Sequence, residues 1–126
     1  MSNSIEILSH TAELSYAGAK AQGDGYHNTS DGLHTVAFYL KDFLGRIHLE
    51  GSLVTDPTDN DWFAIPIGSG TDYKEYTVQT TITEAFNFTN NAVWVRARVD
   101  RSAVAGNPTV YDQLLHGTVE KVLLNR

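Results

Sequence analysis

Ten residues late in the chain, Asn91–Asp100 (Asn-Ala-Val-Trp-Val-Arg-Ala-Arg-Val-Asp), alternate apolar and polar side chains more cleanly than any other stretch. A period of two is the signature of a strand, because successive side chains point to opposite faces of the sheet. Val93, Val95, Ala97 and Val99 therefore belong to one face, and Trp94, Arg96, Arg98 and Asp100 to the other. The first face reads as core. A second stretch of the same kind, Arg46–Leu53, offers Ile47, Leu49 and Leu53 to that core and turns His48, Glu50 and Ser52 outward.

Short strands separated by turn residues account for the rest of the chain. Ser4–Leu8 alternates Ile5 and Ile7, whereas Ala17–Ser30, with Gly18, Gly23 and Gly25, reads as a long loop of the kind that carries binding or assembly contacts. Leu33–Lys41 places His34, Val36, Phe38 and Leu40 on one face, and with the turn Asp42–Gly45 and the strand Arg46–Leu53 it predicts a β-hairpin. Thr55–Asp61, with Pro57 inside it, should stop strand pairing. Trp62–Ile67 predicts a short strand in which Trp62 plugs one end of the fold, and Pro66 confines this strand to an edge or an end. Tyr73–Thr83 is strand-like, with Tyr76 and Val78 on one side and Thr77 and Thr81 on the other. Arg101–Gln113 reads as a loop with a helical turn near Tyr111–Leu115, and Gly117–Leu124 as a last strand with Val119 and Leu123 opposed to Val122 and Leu124. Seven or eight strands without an amphipathic helix predict an all-β sandwich, jelly-roll-like, with a partly closed barrel as the alternative. The expectation is one domain over residues 1–126, whose first 32 residues hold a strand and the glycine-rich loop.

Charge and residue usage narrow the function classes. Nine Lys and Arg against fifteen Asp and Glu give a formal net charge of -6, which argues against a nucleic-acid backbone or an anionic membrane as partner. No cysteine is present, so disulfides, thiolate metal sites and cysteine nucleophiles are excluded. Neither a signal peptide nor a span of roughly 20 apolar residues is found, which predicts a soluble protein made in a cytoplasm.

Catalytic and metal motifs are absent. No nucleophile elbow, phosphate loop or dinucleotide fingerprint occurs, so no enzyme activity and no cofactor are expected. His34 and His48 would approach one another across the predicted hairpin, yet surface or hydrogen-bonded histidines explain them better than a metal site. Asp56, Asp59 and Asp61 lack the glycine and the terminal glutamate of a calcium loop and read as turn formers. Glu50 and Glu84 are the nominal pair for glycoside hydrolysis, with nothing else in support. What stands out is Trp94, Arg96 and Arg98 on one strand face, since Trp and Arg dominate interface hot spots. Either loops of the same chain, Ala17–Ser30 or Arg101–Gln113, cover this face with acidic residues paired to the arginines, or a partner does.

Taken together, Gly45-Arg46-Ile47-His48-Leu49-Glu50-Gly51-Ser52-Leu53, Asp56-Pro57-Thr58-Asp59-Asn60-Asp61-Trp62-Phe63, Phe88 and Val93-Trp94-Val95-Arg96-Ala97-Arg98-Val99 resemble small tail-associated structural proteins of contractile-tailed, T4-like marine bacteriophages. The resemblance runs from about Leu33 to the C-terminus and leaves out the glycine-rich segment. It implies a non-enzymatic virion component, made in the host cytoplasm, that is held by contacts with other virion proteins or with itself as a homo-oligomer. No catalytic residue is carried over. The competing expectation is a lectin-like sandwich that binds a host-surface glycan, because flat aromatic faces stack on sugar rings.

Overall fold

The computed structural model describes residues 5–11, 15–23, 33–67, 72–101 and 116–125. Eight antiparallel strands form one sheet: β1 (Ile5–Thr11), β2 (Ser15–Ala17), β3 (Ala21–Gln22), β4 (Leu33–Ser52), β5 (Phe63–Ile65), β6 (Tyr73–Thr89), β7 (Trp94–Asp100) and β8 (Thr118–Asn125). The sheet runs β1-β8-β4-β7-β2, with β3 on β7 and with β5 and β6 on β4. The predicted all-β class holds. The proposed helical turn at Tyr111–Leu115 lies outside the described residues.

The fold is organised by β4, whose 20 residues pair on both edges. On one edge it meets β6 from Leu33 to His48 and then β5 from Leu49 to Gly51; on the other it meets β8 from Thr35 to Lys41 and then β7 from Arg46 to Ser52. This corrects the predicted hairpin: Leu33–Lys41 and Arg46–Leu53 are two halves of one strand and do not pair with each other. The turn chemistry between them is put to another use. Asp42 (φ 51°) and Gly45 (φ 146°) occupy left-handed backbone conformations, and the register with β6 slips between Leu40 and Phe43 and again between Phe43 and Gly45. Such bulges bend a strand without reversing it.

The bend makes the two halves of the sheet face one another. Strand β6 follows β4 around it, and the Tyr76 hydroxyl donates to Glu84 Oε1 at 2.5 Å. Eight residues of straight strand would hold these two about 26 Å apart, so β6 is folded onto itself. At the far side, a methyl placed on Gly18 would collide with the Ile7 carbonyl oxygen, so the segment after β2 abuts β1 and the sheet is nearly closed. The sandwich describes the two facing layers, and the partly closed barrel describes their closure.

The core between the layers contains Val36, Phe38, Ile47, Leu49, Val95, Ala97, Val99, Val122 and Leu124, all fully buried. Each large aliphatic or aromatic side chain there contributes about 1.5–3 kcal/mol through burial. The alternation of β7 and the inward phase of Ile47 and Leu49 are as the sequence predicts. Four residues depart from it. Leu53 is 68% exposed because β4 ends at Ser52, and Ser52 itself is buried, its Oγ accepting from the Val54 N–H. Val78 is 70% exposed, because it stands in the part of β6 between Tyr76 and Thr80 that has no register partner on β4. In β8 the pairing passes from Lys121 opposite Tyr39 to Val119 opposite Leu40, so Glu120 is an extra residue. Val119, Val122 and Leu124 are therefore buried together, and Leu123 is not. The expected Ala17–Ser30 loop also contains the end of β2 and all of β3.

Candidate functional site

Outer positions of β4, β6 and β7 fall in register and build one polar and aromatic face. Across the β4–β7 pair Arg46 stands opposite Asp100, His48 opposite Arg98, Glu50 opposite Arg96 and Ser52 opposite Trp94. Beyond β4, Glu75 and Tyr73 of β6 are opposite Arg46 and His48; beyond β7, Ala17 of β2 and Gln22 of β3 are opposite Arg98 and Trp94. The three residues singled out in the sequence, Trp94, Arg96 and Arg98, lie side by side on this face.

Glu50 holds both arginines. Arg96 Nε donates to its Oε1 at 2.9 Å and Arg98 Nε to its Oε2 at 3.2 Å. The Glu50 and Arg96 side chains are only 14% and 15% exposed, so this ion pair is less screened than an ordinary surface salt bridge. One carboxylate thus serves two guanidinium groups, and Glu75, Asp100 and Asp56 bring the acidic residues of the face level with Arg46, Arg96, Arg98 and Lys20. Among the described residues neither arginine donates to a second carboxylate, and each guanidinium carries five N–H donors. The Arg96 guanidinium lies over the Trp62 ring at 4.2 Å from its centroid, a cation–π contact. Trp62 is thus half-buried on the outer face beside Arg96, and the expectation that it plugs an end of the fold is corrected.

The turn ahead of Trp62 is fixed by its own polar groups. Residues Asp59–Asp61 form a 3-10 turn, in which Asp61 Oδ2 accepts from the Thr58 N–H at 2.7 Å and from the Thr58 hydroxyl at 3.0 Å. The same connection supplies the carbonyl of Thr55, to which Trp94 Nε1 donates at 2.9 Å. Lys20 Nζ stands 4.4 Å from the centroid of the Trp94 ring and 3.8 Å from Asp56. Both indoles are therefore partly covered from within the chain, one by Arg96 and the other by a lysine of the Ala17–Ser30 segment.

Arg46 and His48 complete the face towards β6. Arg46 Nε donates to Glu75 Oε2 at 2.6 Å, its guanidinium lies over Tyr73, and the hydrogen bond to Glu75 is the main reason its pKa is raised. The His48 ring packs against Tyr73 with centroids 5.4 Å apart. Burial, and then the neighbouring Arg98, push its pKa below the usual histidine value, against smaller opposing effects of Glu50 and Asp100. The folded protein thus resists a proton that the unfolded chain accepts near pH 6.5. Stability contributed by neutral His48 is complete above that pH and is lost as pH falls from about 6.5 towards the lower folded value. His48→Gln is expected to lose fewer degrees of melting temperature between pH 7.5 and pH 5.5 than the parent. An equal or larger loss would count against this assignment.

The other candidates raised by the sequence fall apart. His34 and His48 sit at opposite ends of β4, the first stacked on Phe88 and the second against Tyr73. Glu50 is engaged by the two arginines and Glu84 by Tyr76, in different halves of the sheet. Among the described residues no three His, Asp or Glu side chains are grouped so as to hold a metal ion. No helix among them is long and apolar enough to cross a membrane. Glu50, Trp62 and Lys20 are the parts of the face that sequence reasoning missed. All three come from other segments of the chain, so only the way those segments meet reveals them.

No protein-family model matches the chain, and no curated protein matches it in sequence. Its fold is similar to that of the SPBc2 prophage-derived protein YomS in a crystal structure, with a TM-score of 0.59 at 12% identity. The likeness covers 99% of this chain and 92% of that one, and at such an identity it concerns the fold.

Proposed function

We propose that this chain is a non-enzymatic structural component of a phage virion, seated against a neighbouring virion protein by the outer face of β7. The observation that carries this reading is the preorganised face itself: Trp94, Arg96 and Arg98 are held in place by Thr55, Lys20, Trp62 and Glu50. Side chains already fixed lose little rotamer freedom on association, which favours their use as interface anchors. Fold similarity to a prophage-derived protein supports the phage setting.

The test is incorporation into particles. Virions purified from an infection that supplies tagged wild-type chain are expected to contain it, whereas Trp94→Ala with Arg96→Ser should reduce its content at least tenfold while the isolated variant still melts cooperatively. Particles without the wild-type chain would overturn the virion assignment. Equal incorporation of the variant would overturn the role of the face. A glycan-binding sandwich would instead give saturable binding on a glycan panel, but the cations over Trp62 and Trp94 occupy ring surface that a sugar would need.

A further inference from the structure

The carboxylates around His48 are all engaged by other groups. His48 lies on the outer face of β4, level with Arg98 of β7 and Tyr73 of β6. Arg46 and Glu50 flank it on its own strand, Arg96 and Asp100 stand diagonally on β7, and Glu75 does so on β6. Both oxygens of Glu50 are taken, Oε1 by Arg96 and Oε2 by Arg98, while Glu75 accepts from Arg46 and Asp100 from the Ser15 hydroxyl. With His48 neutral, the acidic and basic groups around it balance.

Its own ring has an unused nitrogen. His48 Nε2 is buried and has no hydrogen-bond partner among the described residues. A neutral imidazole with its hydrogen on Nδ1 tolerates this, since Nε2 then carries only a lone pair. In the protonated ring both nitrogens are donors, and a buried charged N–H without an acceptor costs far more than an idle lone pair. Burial and the neighbouring Arg98 accordingly oppose the proton in this arrangement. Relief is at hand in Glu50. It stands two residues along the same face, about 6.6 Å away at the backbone, and its Oε2 already reaches towards Arg98, the residue level with His48. If Glu50 turns to His48, Arg96 loses its one carboxylate among the described residues, and Arg96 is what lies over Trp62.

We propose that His48 is a proton switch for the outer face of β7: neutral, it leaves Glu50 to hold Arg96 and Arg98; protonated, it takes Glu50 for itself and frees Arg96 from Trp62. The proton selects between the two arrangements because only the second offers the charged ring an acceptor. The face is therefore preorganised at neutral pH and loosened in acid, and a contact made through it weakens on acidification. The switch is a property of the isolated chain and does not depend on the virion reading.

Intrinsic fluorescence tests it, because both tryptophans of the chain, Trp62 and Trp94, lie on this face. Titrated from pH 8 to pH 5 well below its melting temperature, the wild-type chain is expected to show one red shift of emission centred below about pH 6.5, with an unchanged far-ultraviolet circular dichroism spectrum. Trp94→Phe should keep the transition and Trp62→Phe should lose most of it. His48→Gln should hold the neutral-pH emission throughout. A flat wild-type titration, the same transition in His48→Gln or Trp62→Phe, or a shift that coincides with loss of the dichroism signal would overturn the proposal. If His48→Gln fails to fold, proton NMR on the wild type decides: the Trp62 indole N–H and the His48 ring should titrate with one midpoint, and a Trp62 signal that stays still or moves with a different midpoint would overturn it.

Discussion

Val95→Asp is expected to abolish cooperative folding or to lower the melting temperature by at least ~15 °C, from a cost of about 4 kcal/mol or more. Val95 is fully buried and stands between Ala21 of β3 and Gly51 of β4, in the middle of the layer that carries the β7 face. Both flanking residues are small and apolar and offer no hydrogen bond to a carboxylate. Arg96→Ser, one position along on the opposite face, removes a side chain outside the core and leaves Glu50 with Arg98 as its partner, so it should cost much less. Thermal melting of the two variants side by side checks the phase of the strand. A Val95→Asp protein that melts within a degree or two of the parent would mean that the two faces are exchanged.

Gly117→Ala should be nearly as damaging, although it adds a single methyl group. Gly117 has φ +61°, a conformation that costs a non-glycine residue about 1–2 kcal/mol. It also lies against the bend of β4, where an added Cβ would meet the carbonyl carbon and oxygen of Asp42 and the carbonyl oxygen of Lys41. Those are backbone atoms at the one place where β4 is already distorted, so relief requires β8 to move off its partner. We expect a total cost of about 3–5 kcal/mol, near the upper end for a point substitution. Gly51→Ala is the control. Its added Cβ would meet side-chain atoms of Ala92, Ile65 and Phe63, which can shift, and its backbone needs no positive φ. Melting should rank the parent above Gly51→Ala and Gly51→Ala above Gly117→Ala, and the reverse order of the two variants would refute the account of the bend.

The sequence discloses local period well and long-range register poorly. Alternation alone places Val95, Ala97 and Val99 inside and Trp94, Arg96 and Arg98 outside, because a half-buried strand writes its two faces directly into the chain. It misplaces Leu123 because one extra residue, Glu120, shifts the phase within β8, and a bulge has no strong signature of its own. The Asp42–Gly45 stretch is read as a hairpin turn since its composition suits one. The pairing that decides otherwise, Leu33–His48 with Tyr73–Thr89, joins segments 25 or more residues apart and leaves no local trace. The same limit applies to the candidate site. Its arginines and Trp94 are legible from one strand, whereas Glu50 as their shared acceptor, Trp62 beneath Arg96 and Lys20 above Trp94 follow only from how distant segments meet.

The placement of β8 between β1 and β4 sets a timetable for the newly made chain. Strand β1 is made more than 100 residues ahead of its ladder partner, Thr118–Asn125. At 5–20 residues per second, β1 waits roughly 5–20 s before that partner exists. During the wait Ile7 and Leu8, both buried in the finished fold, have no sheet to enter. Closure of the barrel therefore waits for β8, and nascent chains stalled before residue 118 would keep β1 available to other strands or to a chaperone.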